Sequence, residues 1–265
     1  MYPRSVLLAK YIAYHLRAAN SRGHGVHSPF VFDFIQHVLR DSARYEDYDR
    51  IEGYRSRLLA DRSVLQVADF GAGSVHKQGA GRQVCKIAST ALKSHKYASL
   101  LYRIVRYYKP SRILEFGTSL GITTAYLASA APRATVVTVE GAPAVAEVAS
   151  RIFSEASISN IEQVTGNFDE VLHGLLPRLN ELDFVFMDGN HRYGPTMRYF
   201  GELLPVLHEY SIVVLDDIHW SAEMEHAWND CRKHARVTLS IDLFFIGILF
   251  FRKEFRVPQH FQIRF

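Results

Sequence analysis

Ile113-Leu114-Glu115-Phe116-Gly117-Thr118-Ser119-Leu120-Gly121 is the stretch from which the fold reads most directly. An apolar run ends in an acid, and glycines at 117 and 121 then let the chain turn sharply, the pattern of a strand passing into a helix. Working outward, short apolar runs recur at Arg112–Phe116, Thr135–Val139, Ile161–Thr165, Phe184–Met187 and Ile212–Leu215. Segments of helical length lie between and after them, about residues 121–131, 143–156, 169–179, 195–209 and 220–235. Five strand–helix units in succession predict an α/β protein with a parallel sheet covered on both faces. Val237–Phe244 and Ile246–Phe251 can meet only as a hairpin around Phe245-Ile246-Gly247, which predicts an antiparallel strand closing the sheet.

Residues 5–19 place Leu8, Tyr11, Ile12, His15 and Leu16 at helical spacing, with Lys10 and Arg17 off that stripe. A turn is expected at residues 20–25, after which Ser28-Pro29 reads as an N-cap and first helical position opening a helix to about Leu39. Residues 41–62 are charge-dense and read as a solvated helix or loop. Residues 94–108 carry another helical pattern ended by Lys109-Pro110. This upstream half, residues 1–95, is expected to be a mainly helical extension, and residues 96–265 a cofactor-binding domain. The extension reads as a packing or dimerisation layer, so a homodimer through the N-terminal helices is the expected assembly. The alternatives are a lid built from residues 25–30 and 93–97, or surface attachment to a membrane through the basic, aromatic helix 5–19.

The 265 residues are 48% hydrophobic and 22% charged with a net charge of +4, which excludes a disordered chain. The longest apolar run, Leu243–Phe251, is about half of the ~20 residues that a membrane span needs. Lys10 breaks the only N-terminal apolar stretch, so no secretory signal is expected. Two cysteines, Cys85 and Cys231, make no disulfide framework, and the expected compartment is the cytoplasm. The positive charge sits at the ends: +4 over residues 1–29 and +3 over 252–265, against −3 between them. The central body is therefore slightly acidic, and nucleic acid is not the expected partner.

The turn also suggests its ligand. It lacks the three glycines of G-x-G-x-x-G, and Glu115 ahead of it discourages a pyrophosphate and suits a cation. Glu140 ends the next strand, where a carboxylate can accept both hydrogen bonds of a ribose diol. A cationic nucleoside satisfies both acids, and S-adenosylmethionine fits. Asp69-Phe70-Gly71-Ala72-Gly73-Ser74 also looks like a nucleotide turn. No strand and acid follow it at the right distance, so it reads as a structural hairpin or loop.

From about Ser111 to Lys253, with Ile113–Ala128 the closest part, the chain resembles the class I S-adenosylmethionine-dependent methyltransferases, especially small-molecule O-methyltransferases of the catechol O-methyltransferase type. The fold implied is α/β, Rossmann-like and doubly wound: a mostly parallel seven-stranded sheet with an antiparallel C-terminal strand. The resemblance implies that Glu115, Gly117, Thr118, Ser119 and Gly121 lie along the methionine part of the cofactor. Glu140 and Gly141 would hold the ribose, Asn167 and Phe168 would flank the adenine, and Asp188 would complete the cofactor set.

Phe184-Val185-Phe186-Met187 leads to Asp188, and the next strand leads to Asp216-Asp217. Adjacent strands ending in acids gather like charges that need a cation or proton among them, and an oxygen-rich set suits Mg²⁺ or Ca²⁺. In the metal-dependent relatives the ligands fall on Asp188, Asp216 and Asp217, where Asp217 replaces an asparagine. The relatives' catalytic lysine falls on His191, which with Asp188 is the expected catalytic pair, histidine taking a hydroxyl proton. The plainer alternative has Asp216-Asp217 capping the following helix and no metal. Tyr193, His219 and Trp220 are candidates for the pocket wall, expected to pack rather than do chemistry. The expected activity is methylation of a hydroxyl on a small, hydroxylated or aromatic acceptor. The competing readings are a nitrogen or RNA methyltransferase, against which Asp188-Gly189-Asn190-His191 argues, and a non-catalytic protein that keeps the fold.

Overall fold

In a computed structural model, residues 1–19, 27–67 and 81–265 are described. The expected turn at 20–25 and the segment 69–74 lie outside them. In chain order the helices are α1 (Arg4–Arg17), α2 (Pro29–Phe34, continued by a π-helical turn Ile35–Leu39), α3 (Glu46–Ala60), α4 (Val84–Ala91), α5 (His95–Tyr108), α6 (Ile122–Ala130), α7 (Pro143–Glu155), α8 (Phe168–Leu179), α9 (Tyr193–Leu203) and α10 (Ala222–Lys233). The strands are β1 (Val64–Gln66), β2 (Gly81–Gln83), β3 (Arg112–Phe116), β4 (Thr135–Glu140), β5 (Ile161–Thr165), β6 (Leu182–Met187), β7 (Leu207–Asp216), β8 (Leu239–Asp242), β9 (Ile246–Phe250) and β10 (Gln259–Gln262). The chain divides into two compact units, residues 42–178 and residues 1–41 with 179–265. The N-terminal helices are thus shared: α1 and α2 group with one unit, α3 and α4 with the other.

In the unit of residues 42–178, β4 lies between β3 and β5, parallel to both. Their registers align Phe116 with Val139 and Glu140 with Thr165, so the carboxyl ends of three strands form one level edge. Ile113, Leu114, Val136, Val137 and Val139 are buried, with α6 buried along almost its whole length. A helix apolar on all sides belongs inside a core. α5 ends where Lys109 takes a left-handed conformation before Pro110, as the sequence predicts. β1 and β2 pair as a small antiparallel ribbon.

The other unit carries five strands in the order β10-β8-β9-β7-β6. β6 and β7 are parallel, aligning Met187 with Leu215, and β9 runs antiparallel to both β7 and β8. The C-terminal hairpin is therefore as expected, turning through Phe244 at φ 70°. Gly247 is required there: a Cβ would stand 2.5 Å from the Trp228 ring of α10.

One expectation needs correction: among the described residues β10 makes an eighth strand, parallel to β8, where seven were expected. Its residues, Gln259-His260-Phe261-Gln262, make no apolar run, and the strand is recruited through backbone bonds along an open edge. On α1, Tyr14 and Ala18, with Leu7 and Tyr11 beside them, pack against Phe244. Leu8, Ile12 and Leu16 are exposed. The inner face is fixed by polar anchors that periodicity does not weigh. The Tyr14 hydroxyl meets the carbonyls of Asp242 and Ile263 (2.8 and 2.5 Å), the Tyr2 hydroxyl donates to Glu225 (2.8 Å), and Lys10 pairs with Glu225 at 3.0 Å.

Candidate functional site

The residues expected to hold a nucleoside lie along the level edge of β3, β4 and β5. After β3 the chain passes through Gly117 (φ 92°), Ser119 (φ 48°) and Gly121 (φ 83°) before α6 begins. Glycine removes the cost of that conformation at 117 and 121, while Ser119 carries it as a side-chain-bearing residue. Gly121 has a second reason to be glycine, since a Cβ would lie 2.7 Å from the Phe153 ring of α7. The Gly117 and Thr118 amides donate to the Val139 carbonyl (3.0 and 3.1 Å), tying the turn to β4.

Glu140, at the end of β4, fastens this turn. Its Oε2 accepts from the Ser119 amide at 2.8 Å and its Oε1 from the Ala142 amide at 2.9 Å, through Gly141. These two bonds orient the carboxylate at the edge of the sheet. Gly166 donates to the Glu140 carbonyl (2.9 Å), and Asn167 Oδ1 accepts from Asp169 in the first turn of α8. The Phe168 ring lies 5.5 Å from that of Phe116.

Glu115 lies beneath the turn. It is fully buried and its Oε2 accepts from Thr124 of α6 and, at 2.7 Å, from Thr138 of β4. Thr118 reaches Thr138 at 2.6 Å, making a threonine cradle for the acid. The sequence reading missed Thr124 and Thr138. Their signal is a hydroxyl residue inside an otherwise apolar strand, Val136-Val137-Thr138-Val139.

In the other unit, the register of β6 with β7 brings Asp188, one residue beyond β6, level with Asp216, the last residue of β7. Asp216 is 1% exposed. His191 Nε2 stands 3.4 Å from Asp188 Oδ1. Burial disfavours the charged ring, but Asp188, joined by the charges of Asp216 and Asp217, outweighs it and raises His191 to about 9. One potential ligand atom from each of Asp188, His191 and Asp216 lies within 4.8 Å of the others. A divalent cation fits two carboxylates and an imidazole at that spacing, a donor set with one nitrogen where an all-oxygen set was expected. Asp217 is outside this trio and takes a left-handed conformation at φ 53°. The following helix is capped by Ser221, which accepts from Met224, so Asp216 and Asp217 do not serve as its cap.

His219 sits between Glu225 and Asp242 at 3.0 Å from each and stacks on Phe244. The Tyr193 hydroxyl donates to Asp230, and the Trp220 ring lies 5.8 Å from that of His191. Burial raises the thiol of Cys231 far above its usual range, and it takes no part in this site.

Residues 114–218 match the family model described as a methyltransferase domain. A curated relative from Mycobacterium tuberculosis, named "Probable O-methyltransferase", is 33% identical over 132 residues. That match covers 45% of this chain and 54% of the relative, so the chain spans about half the length of the curated protein it matches. Among solved structures, the O-methyltransferase TomG of Streptomyces achromogenes, involved in tomaymycin synthesis and solved in complex with SAM, has a TM-score of 0.56 at 19% identity. It covers 82% of this chain and 95% of its own. An O-methyltransferase from Bacillus cereus in complex with SAH gives 0.54 at 17% identity, covering 83% and 97%. At these identities the likeness is one of fold, and it bears out the Rossmann-like α/β class. Among the described residues no helix is long and apolar enough to cross a membrane.

Proposed function

We propose that this chain, whose residues 114–218 are a methyltransferase domain of the kind the glycine-rich turn announces, is an S-adenosylmethionine-dependent O-methyltransferase. The observation that carries this reading is the Ser119–Glu140 hydrogen bond, which sets a ribose-binding carboxylate against a turn of backbone suited to close approach. Gly117, Thr118, Ser119 and Gly121 hold the methionine part, Glu140 with Gly141 the ribose, and Asn167 with Phe168 the adenine. S-adenosylmethionine supplies a sulfonium methyl open to direct displacement by an oxygen nucleophile.

The acceptor is a small hydroxylated molecule, a catechol being the first probe. His191 in its neutral form takes the hydroxyl proton. Asp188 orients that imidazole and steadies its charged form. Asp188 and Asp216 are the residues that would hold Mg²⁺ or Ca²⁺, which would act as a Lewis acid on the acceptor oxygen.

Calorimetric titration tests this. Micromolar binding of S-adenosylmethionine, with catechol binding only when Mg²⁺ is present, supports the metal-assisted transferase. Cofactor binding indifferent to metal leaves a metal-free transferase. No cofactor binding at all overturns the reading in favour of a non-catalytic protein.

A further inference from the structure

At the end of β3 and β4 opposite the glycine-rich turn, the unit of residues 42–178 holds a cavity of about 540 Å³. Ser111 and Ala134, on its wall, stand one residue before β3 and β4 begin, and the turn lies beyond the 5 residues of β3. That length of strand separates the two places by roughly 15 Å, so the cavity is no part of the proposed cofactor site. Three cations line it: Arg106 in the last turn of α5, Lys109 just past that turn, and Arg133 between α6 and β4. All three are exposed and so within reach of a dissolved ligand. Among the described residues no acid lines the cavity, and its remaining walls are proline and alanine around Ser111.

The fold does not need these cations to close its helices. The Asn160 side-chain amide donates to the carbonyls of Ala128, Ala131 and Ala134 (3.2, 3.1 and 3.0 Å), so the end of α6 is capped without Arg133. α5 is closed by the Lys109 backbone amide on the Val105 carbonyl (2.9 Å), which leaves the Lys109 side chain out of the cap. Among the described residues neither Lys109 nor Arg133 pairs with a carboxylate. Arg106 is held over the Tyr45 ring, 4.8 Å from its centroid, a contact that brings no counter-charge. The walls are fixed as well. Pro110 and Pro132 lock the backbone, and the Thr135 amide on the Ser111 carbonyl (2.9 Å) joins the two sides.

We infer that this cavity binds a small organic phosphate. Gathered cations disfavour one another unless an anion sits among them, and three positive groups suit a dianion better than a single charge. The guanidinium forks of Arg106 and Arg133 can grip phosphate oxygens through paired N–H donors, and Lys109 adds a point charge. The proline and alanine walls receive an uncharged body of the size that ordinary ligand pockets hold. Because those walls are already in place, binding has only the cationic side chains to order.

Calorimetric titration of the full chain with phenyl phosphate, with and without saturating S-adenosylmethionine, tests the assignment. Phenyl phosphate is expected to bind at least about tenfold more tightly than the singly charged benzoate, and high salt should weaken it. K109Q/R133Q is expected to lower that affinity at least about tenfold, while R133K, which keeps the charge, should retain most of it. Both positions are exposed, so thermal melting and S-adenosylmethionine titration of these variants should match the parent. Asp188→Asn, which alters the proposed acceptor site, should leave phenyl phosphate binding unchanged. The assignment therefore stands or falls apart from the transferase reading. No binding of phenyl phosphate overturns it, and so does benzoate binding of equal strength. Binding that K109Q/R133Q leaves intact, or that Asp188→Asn removes, puts the phosphate elsewhere on the chain and overturns it too.

Discussion

Glu140 and Glu115 are neighbouring carboxylates with opposite duties, and single substitutions should separate them. Glu140→Ala removes a charged acceptor from Ser119 and from the ribose. A hydrogen bond to a charged group is worth about 1.5–3 kcal/mol, so cofactor affinity should fall by about 10- to 100-fold, read by calorimetry, with a small change in melting. Glu115→Ala strands the buried hydroxyls of Thr124 and Thr138. It should cost about 2–4 kcal/mol of stability in urea unfolding, whatever its effect on binding. A Glu140→Ala chain that binds S-adenosylmethionine normally would remove Glu140 from the cofactor site. His191→Ala should lower kcat by about 10²- to 10⁴-fold while leaving cofactor affinity within about threefold, as expected of a group acting on the acceptor. An unchanged kcat would reduce the His191–Asp188 pair to packing.

Elements were legible in the sequence to different depths, and for physical reasons. Parallel strands buried on both faces read as continuous apolar runs, which is why β3, β4, β6 and β7 could be anticipated from Arg112 onward; β5, half-buried at the sheet edge, reads through its place between two helical segments. β10 offered no such run. α1 is apolar almost all round, from Val6 to Leu16, so periodicity could show that it is a helix and not which face is inside. In the candidate site, Gly117, Gly121 and Glu140 announced themselves through spacing. The cradle of Thr124 and Thr138 did not: Thr138 stands out only as a hydroxyl inside an apolar run, and nothing local to it shows which helix residue or acid it meets.

The anchor of α1 should also respond to pH. Burial works against ionisation of Asp242, but His219, Gln262 and the Phe244 amide together hold it below the usual carboxylate range; His219 itself is raised. Stability from a lowered acid is present above its unfolded value near 3.8 and lost as pH falls through the folded one. Stability from the raised histidine is full below 6.5 and lost as pH climbs through its folded value. Urea unfolding should therefore peak between these limits, and Asp242→Asn should flatten both limbs. A parent-like pH profile in that variant would mean the triad is not what sets it. On β9, Gly247→Ala forces a methyl into Trp228 and should cost about 1–3 kcal/mol.

At the scale of the whole molecule, a ligand that binds only the folded chain stabilises it by mass action. S-adenosylmethionine at a hundred times its dissociation constant should contribute about 2.7 kcal/mol, raising the melting temperature by roughly 5–10 °C. A melting temperature indifferent to saturating cofactor would argue that the edge of β3, β4 and β5 holds no ligand. The unit of residues 42–178 is continuous in the chain, whereas the other is assembled from residues 1–41 and 179–265. That division has a consequence for the order of events at the ribosome. Tyr14 leaves the exit tunnel 249 residues ahead of one of the carbonyls that its hydroxyl meets. α1 must wait through the synthesis of all that lies between without the surface it docks on, its apolar flanks open to whatever is nearby, while residues 42–178 can already have settled behind it.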